Sequence, residues 1–180
     1  PAALLPEGLE ASYRVLSEAL LAALRELGVE AEAAPAPAVA APRDTAFDCF
    51  AEPAADEICA GGSKLVGSAQ RRLGGAFLQH GSLLIDMDAS VIAQVLPAAR
   101  EHQLEHQQGP TTLREVLGRE LDRREDLERA IVRGFADVFG CVLEPGALSR
   151  AEAESAARLR TFKYLDARWT LEGRLRDAWF

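Results

Sequence analysis

Residues 57–86 read EICAGGSKLVGSAQRRLGGAFLQHGSLLID, and this stretch decides the fold. "EICA" ends at Gly61-Gly62, "SKLVGSAQRR" runs to Gly74-Gly75, and "AFLQHGSLLID" follows. Paired glycines supply the positive φ angles that tight hairpin turns need, so the stretch predicts a three-stranded antiparallel meander. Glycine and serine inside the middle strand weaken it, because they bring little side chain to pack. A ligand lying against the backbone would account for that composition. Lys64 stands among these small residues, between Gly62-Ser63 and Gly67-Ser68. It reads either as an ordinary solvent-facing strand lysine or as a group turned toward a bound molecule. The order Gly-x4-Gly-Lys-Ser/Thr of a phosphate loop is absent.

Outward from the meander, apolar residues recur at helical spacing through Val15, Leu16, Ala19, Leu20, Ala23, Leu24 and Leu27. They predict a helix over Leu9–Leu27, with Gly28 as its C-terminal stop. "VEAEAA" alternates like a strand, and the proline-rich "PAPAVAAPRD" reads as a surface loop. After Asp88 the pattern turns helical: a short helix at Ser90–Leu96, another opened by "PTTLREVLG", and an amphipathic one over Arg124–Phe139. "CVLEPG" reads as a short strand before a last helix from Ser149 to Tyr164, where Ser149 and Glu152 form a capping box. The sum is one α+β domain with a C-terminal helical portion from residue 146, and without internal repeats.

The bulk numbers bound the function. The chain has 180 residues, 48% of them hydrophobic and 27% charged, with a formal net charge of −8. That length supports one domain with a sizeable core. The acidic balance argues against nucleic acid, whose phosphates require a basic surface. No charged-then-apolar leader and no long apolar run occurs, so neither export nor a membrane span is expected. Three cysteines without a CxxC pair fit the reducing cytoplasm better than a disulfide framework.

Cys49 in "FDCF" is the first reactive candidate. A lone cysteine is most often a small buried apolar group, but this one lies between two proline-containing loops just before a strand. A nucleophilic cysteine needs a thiolate supported by nearby positive charge. Lys64, Arg71 and Arg72 are the cations of the meander and therefore the candidates. Cys59 and Cys141, each in an apolar strand pattern, read as packing residues. His80, beside Gly81, is more often a satisfied strand histidine than a base. His102 and His106 stand four apart in "EHQLEHQQ" and could share a helix face as metal ligands, but a solvated surface is the simpler reading. The Glu/Arg run from Arg119 to Arg129 reads as an exposed helical face with i,i+4 pairs.

The combination Cys-Phe-x-x-Pro, Lys-x-x-Gly-Ser-Ala-Gln-x-Arg and Leu-Gln-His-Gly-Ser, carried by residues 49–86, resembles octanoyl-[acyl carrier protein]:protein octanoyltransferases of the biotin/lipoate protein ligase family. "SYRVLSEALLAALRELG" resembles the family's preceding helix, and "KYLDARW" its C-terminal ending. The resemblance implies the C-terminal part of a class II synthetase/biotin ligase-like catalytic domain over residues 1–145, with an antiparallel or mixed sheet flanked by helices. Residues 146–180 would form a helical extension. A strand with arginines and Gly-Gly followed by a histidine is expected to precede the first helix, outside these residues.

By the same resemblance Cys49 takes an octanoyl group from acyl carrier protein as a thioester. A lysine of a lipoyl domain or of the glycine cleavage H protein then attacks it. Lys64 matches the family's active-site lysine, and both protein partners are typically acidic. Gly67, Ser68, Ala69, Gln70, Arg72, Gln79, His80 and Gly81 are the implied substrate-binding residues, with Gly67 and Gly81 leaving room for the acyl chain. No cofactor is implied, since thioester-to-thioester exchange is near thermoneutral and thioester-to-amide transfer runs downhill. The rivals are an ATP-dependent lipoate–protein ligase and an amidotransferase of the same family, or a non-catalytic binding subunit. Cys49 argues against the ligase, and "LQHGS" against the amidotransferase.

Overall fold

A computed structural model of the protein describes residues 5–35, 55–73, 76–88, 90–91, 94, 109–121 and 123–173. The proline-rich loop from Ala36, Cys49, the Gly74-Gly75 turn, most of the expected 90–96 helix, and His102 with His106 lie outside them. The chain divides into two compact units, 1–142 and 143–180.

In the first unit, helix α1 spans Leu9–Glu26, as its periodicity predicts. Gly28, at φ 80°, takes the left-handed conformation that ends it. Four antiparallel strands follow in the spatial order of the chain: β1 Glu32–Ala33, β2 Ile58–Ala60, β3 Ser63–Leu73 and β4 Ala76–Leu83. The three-strand meander is therefore present. "VEAEAA" contributes only a two-residue edge strand, because its partner β2 has three residues and offers it two pairing positions.

The core joins Ile58, Ala60, Leu65 and Val66 of the sheet to Leu21, Leu24, Val29, Leu113 and Leu127. Apolar area taken from water there is the main stabilising term, at about 25 cal/mol per Å². Helix α2, Leu113–Leu117, begins at Thr112, whose side chain forms a capping box with Glu115. The Thr111 N–H donates to the Lys64 carbonyl (2.9 Å) and the Leu113 N–H to the Leu84 carbonyl (2.8 Å), which ties the start of α2 to the sheet.

Helix α3, Arg124–Phe139, matches its predicted span and packs on α1. Gly134 makes that approach possible. A Cβ there would stand 2.8 Å from the Ala23 nitrogen and would also collide with the Ala19 carbonyl. Arg133 and Glu26 add an ion pair between the two helices.

In the second unit, α4 spans Arg150–Leu159 with the expected Ser149–Glu152 capping box, and continues as a π-helical turn over Arg160–Tyr164. A short helix α5, Ala167–Thr170, is capped by Asp166. Tyr164 meets Trp169 edge-on, and Lys163 Nζ lies 4.2 Å from the Trp169 ring centroid. "CVLEPG" is not a strand: residues 141–149 are irregular, and Val142 is 85% exposed. The segment joins no ladder among the described residues, and local β-propensity cannot hold a strand without one. Among the described residues no helix is long and apolar enough to cross a membrane.

Candidate active site

The register of the sheet builds the site. Strand β3 pairs with β4 so that Gly67 faces Ser82, Ser68 faces Gly81, Ala69 faces His80, and Gln70 faces Gln79. "GSAQ" and "QHGS", separated in sequence, thus become one patch of hairpin. The two backbones come close here, since a Cβ on Gly81 would stand 2.7 Å from the Gly67 carbonyl and 2.8 Å from Ser68 Oγ.

Between β2 and β3 the pairing slips. Ile58 faces Val66 but Cys59 faces Lys64, so two residues of β3 are passed for one of β2, and Leu65 is the extra one. Directly opposed residues share a face of a sheet, and consecutive residues of a strand alternate. A bulge breaks that alternation and re-aims a side chain. Val66 therefore shares a face with Ile58, while Lys64 is turned to the face of Cys59 and Glu57. Leu65 and Val66 both join the core.

This parity sorts the residues that the sequence proposes. Ser68, Gln70 and Arg72, with Gly81 and Gln79 opposite, continue the Val66 face, which α1 covers. Gln70 Nε2 donates to Gln79 Oε1 (3.0 Å), and Arg72 Nε donates to Gln70 Oε1 (3.0 Å). Arg72 Nη2 donates to the Gly8 carbonyl and to Ser12 Oγ, both at 2.6 Å. Arg72 is thus engaged in holding the hairpin to the start of α1, a use that sequence reasoning did not foresee. Gly67, Ala69 and Arg71, with His80 opposite Ala69, continue the other face, on which Lys64 lies. Of the two adjacent arginines, Arg71 is the one on the lysine's side.

Lys64 is not a solvent-facing lysine. Its side chain is 5% exposed and its Nζ stands 2.7 Å from Oε2 of Glu57, itself 6% exposed. A cation this deeply buried requires a partner, and the pair meets that requirement. Glu57 Oε1 also accepts the Ser68 N–H (3.2 Å), and the Tyr13 hydroxyl donates to the Ser68 carbonyl (3.1 Å). These two side chains take the hydrogen bonds of β3 beyond the point where β2 pairs with it. Burial pushes the Tyr13 phenol above its usual value. The buried pair makes Lys64 part of the fold as well as a candidate for the chemistry.

Cys59, cross-strand from Lys64, is 4% exposed. Its thiol is pushed upward, first by burial and then by the Glu57 charge, with Lys64 opposing. A buried thiol disfavoured from ionising is a packing group rather than a nucleophile. Among the described residues no group of three or more His, Cys, Asp or Glu could hold a metal ion. Glu57 and Tyr13 were missed by sequence reasoning. Glu57 had a faint signal, since a Gly-Gly hairpin places it diagonal to Lys64 across the turn.

The architecture is that of a lipoate-ligase-like catalytic domain. A lipoate-protein ligase A solved with bound ATP overlays with a TM-score of 0.69 at 22% identity, covering 91% of this chain and 60% of the other. A bi-partite lipoate protein ligase from Thermoplasma acidophilum, solved in a study with its E2 lipoyl domain, gives 0.68 at 16% identity, over 97% and 63%. The lipoyl protein ligase A/B catalytic domain family matches residues 2–136, and the chain belongs to that family.

Among curated relatives, octanoyltransferase LipM of Kyrpidia tusciae is 38% identical over 92% of this chain and 62% of its own length. The LipM octanoyltransferases of Symbiobacterium thermophilum and Moorella thermoacetica are 37% and 38% identical over 93% and 90% of this chain. The chain spans 60–64% of the length of these three relatives.

Proposed function

We propose that the protein is an octanoyltransferase of protein lipoylation, acting through a cysteine thioester in the cytoplasm. The observation that carries this reading is the 38% identity, over 92% of the chain, to an octanoyltransferase. The buried Lys64, held on one face of the sheet with Gly67 and Ala69, supplies a fixed cation of the kind the chemistry needs. Residues 1–145 are read as part of the catalytic domain and 146–180 as its helical extension.

In the first step the Cys49 thiolate attacks the carbonyl carbon of octanoyl-acyl carrier protein. The C–S bond to the carrier breaks, and the carrier leaves as a thiolate. In the second step the amine of a lysine, on a lipoyl domain or on the glycine cleavage H protein, attacks the Cys49 thioester. It loses a proton and expels the Cys49 thiolate. Each step passes through a tetrahedral oxyanion, and Lys64 is the group assigned to stabilise it, a role worth about 10²–10³ in rate. Gly67 and Gly81, where the backbones approach closely, and Ser68, Ala69, Gln70, Gln79, His80 and Arg72 form or support the acyl-binding surface.

The test is direct. Intact protein incubated with octanoyl-acyl carrier protein, without ATP, gains one octanoyl mass, and Cys49→Ala gains none. Transfer to a lipoyl domain at the normal rate by Cys49→Ala, or a strict need for ATP, overturns the reading.

A further inference from the structure

Glu57 has no part in the proposed chemistry, yet its carboxylate is committed on both sides. Oε2 holds Lys64 Nζ at 2.7 Å, and Oε1 accepts the Ser68 N–H at 3.2 Å. A lysine carries its charge on a long flexible stem, so its ammonium is placed only by what grips it. Here the grip comes from the residue that leads into β2, and the same carboxylate grips the backbone just past Gly67. Lysine and glycine strand are thereby set against each other through one side chain.

Glu57 is itself fixed from outside the site. Asp56, the preceding residue, lies in the left-handed region at φ 61°, which only a minority of non-glycine residues occupy. Its N–H donates to the Ala34 carbonyl (3.0 Å), its carbonyl accepts the Ser17 hydroxyl of α1 (2.9 Å), and the Glu57 carbonyl accepts the Ala34 N–H (2.7 Å). The turn at Asp56 and the bulge at Leu65 have one joint result: they deliver Glu57 and Lys64 to the same face within contact distance.

We propose that Glu57 is a positioning residue for acyl transfer, holding the Lys64 ammonium and the Gly67–Ser68 backbone in the relative placement that the tetrahedral intermediates require. The inference rests on the reading of Lys64 as the oxyanion-stabilising group. Misplacing a catalytic group by about 1 Å costs up to ~10² in rate. Glu57→Gln keeps an acceptor for the Ser68 N–H and removes the charge that holds the ammonium.

The experiment measures single-turnover octanoylation of Cys49 and steady-state transfer to a lipoyl domain. It compares intact wild-type protein with Glu57→Gln, Glu57→Asp and Lys64→Ala, all scaled to the folded fraction. The expected result for Glu57→Gln is a kcat lower by about 10–10²-fold with KM for the carrier changed less than about threefold. Glu57→Asp, which restores the charge one methylene short, recovers part of the loss. Full kcat per folded molecule in Glu57→Gln, with Lys64→Ala inactive, overturns the positioning role and leaves the function of Lys64 standing. Full activity per folded molecule in Lys64→Ala overturns the reading of Lys64 itself. If Glu57→Gln does not fold, Glu57→Asp decides alone: wild-type kcat and KM there refute the proposal.

Discussion

Replacing Lys64 with methionine removes the ammonium and keeps roughly the volume of the stem. The Glu57 carboxylate then stays 94% buried without the cation 2.7 Å away. Breaking a buried ion pair from one side costs about 3–5 kcal/mol, because a desolvated charge remains. For a chain of this size each kcal/mol corresponds to roughly 2–4 °C, so Lys64→Met is expected to melt about 6–20 °C below wild type. The structure also says how to restore the loss. Glutamine at 57 can still accept the Ser68 N–H, so Glu57→Gln/Lys64→Met removes both charges of the pair and keeps that hydrogen bond. The double variant is expected to recover most of the melting temperature, since neutral replacements of buried pairs are often tolerated. Calorimetry of wild type, both single variants and the double variant closes the cycle. Octanoyl transfer to a lipoyl domain by the double variant stays at least ~10²-fold down, the scale of losing one oxyanion donor. A single Lys64→Met variant melting within about 2 °C of wild type refutes the burial argument. A stable double variant with normal transfer refutes the catalytic one.

Arg71 shares the lysine's face while Arg72 is tied to α1, so the two are expected to separate. Arg71→Glu raises KM for the acidic carrier and flattens its salt dependence without changing reaction with a small octanoyl thioester; equal losses with both substrates would place Arg71 in the chemistry. In an open helix Gly134→Ala would gain about 1 kcal/mol of propensity. Here its Cβ meets backbone of α1, and overpacking of about 1–3 kcal/mol wins, so thermal denaturation should show a lower melting temperature. An unchanged or raised one would mean that the helices part freely.

Much of the fold was legible because its signals are local. The periodicity of α1 and α3, the Gly61-Gly62 turn and the Ser149–Glu152 box each depend on residues within a few positions of one another. "CVLEPG" misled because a short apolar run says that a segment can be a strand, whereas a strand exists only where a ladder receives it. In the candidate site, the hairpin proposed from the sequence forms, but the sequence could not sort its residues between two faces. Strict alternation would put Lys64 on the same face as Val66, Ser68 and Arg72, and the bulge at Leu65 reverses that. A slip in register arises from how two strands settle against a common core, and no single residue of "SKLVGS" announces it. The burial of Lys64 was hidden for the same reason, since it depends on Glu57 across the slip.

The bulge makes the site something like a reading frame. Loss of one residue between Lys64 and Val66 would leave every proposed functional side chain in the chain and every hairpin turn unaltered. With Ile58 still facing Val66 and Cys59 still facing Lys64, the lysine would keep its face and the core would lose the Leu65 side chain. Pairing Leu65 with Ile58 instead would turn Val66 and every later residue of β3 to the opposite face, so function here resides in register as much as in residue identity. A substitution along β3 acts at its own position, whereas a change of register acts on all residues beyond it at once.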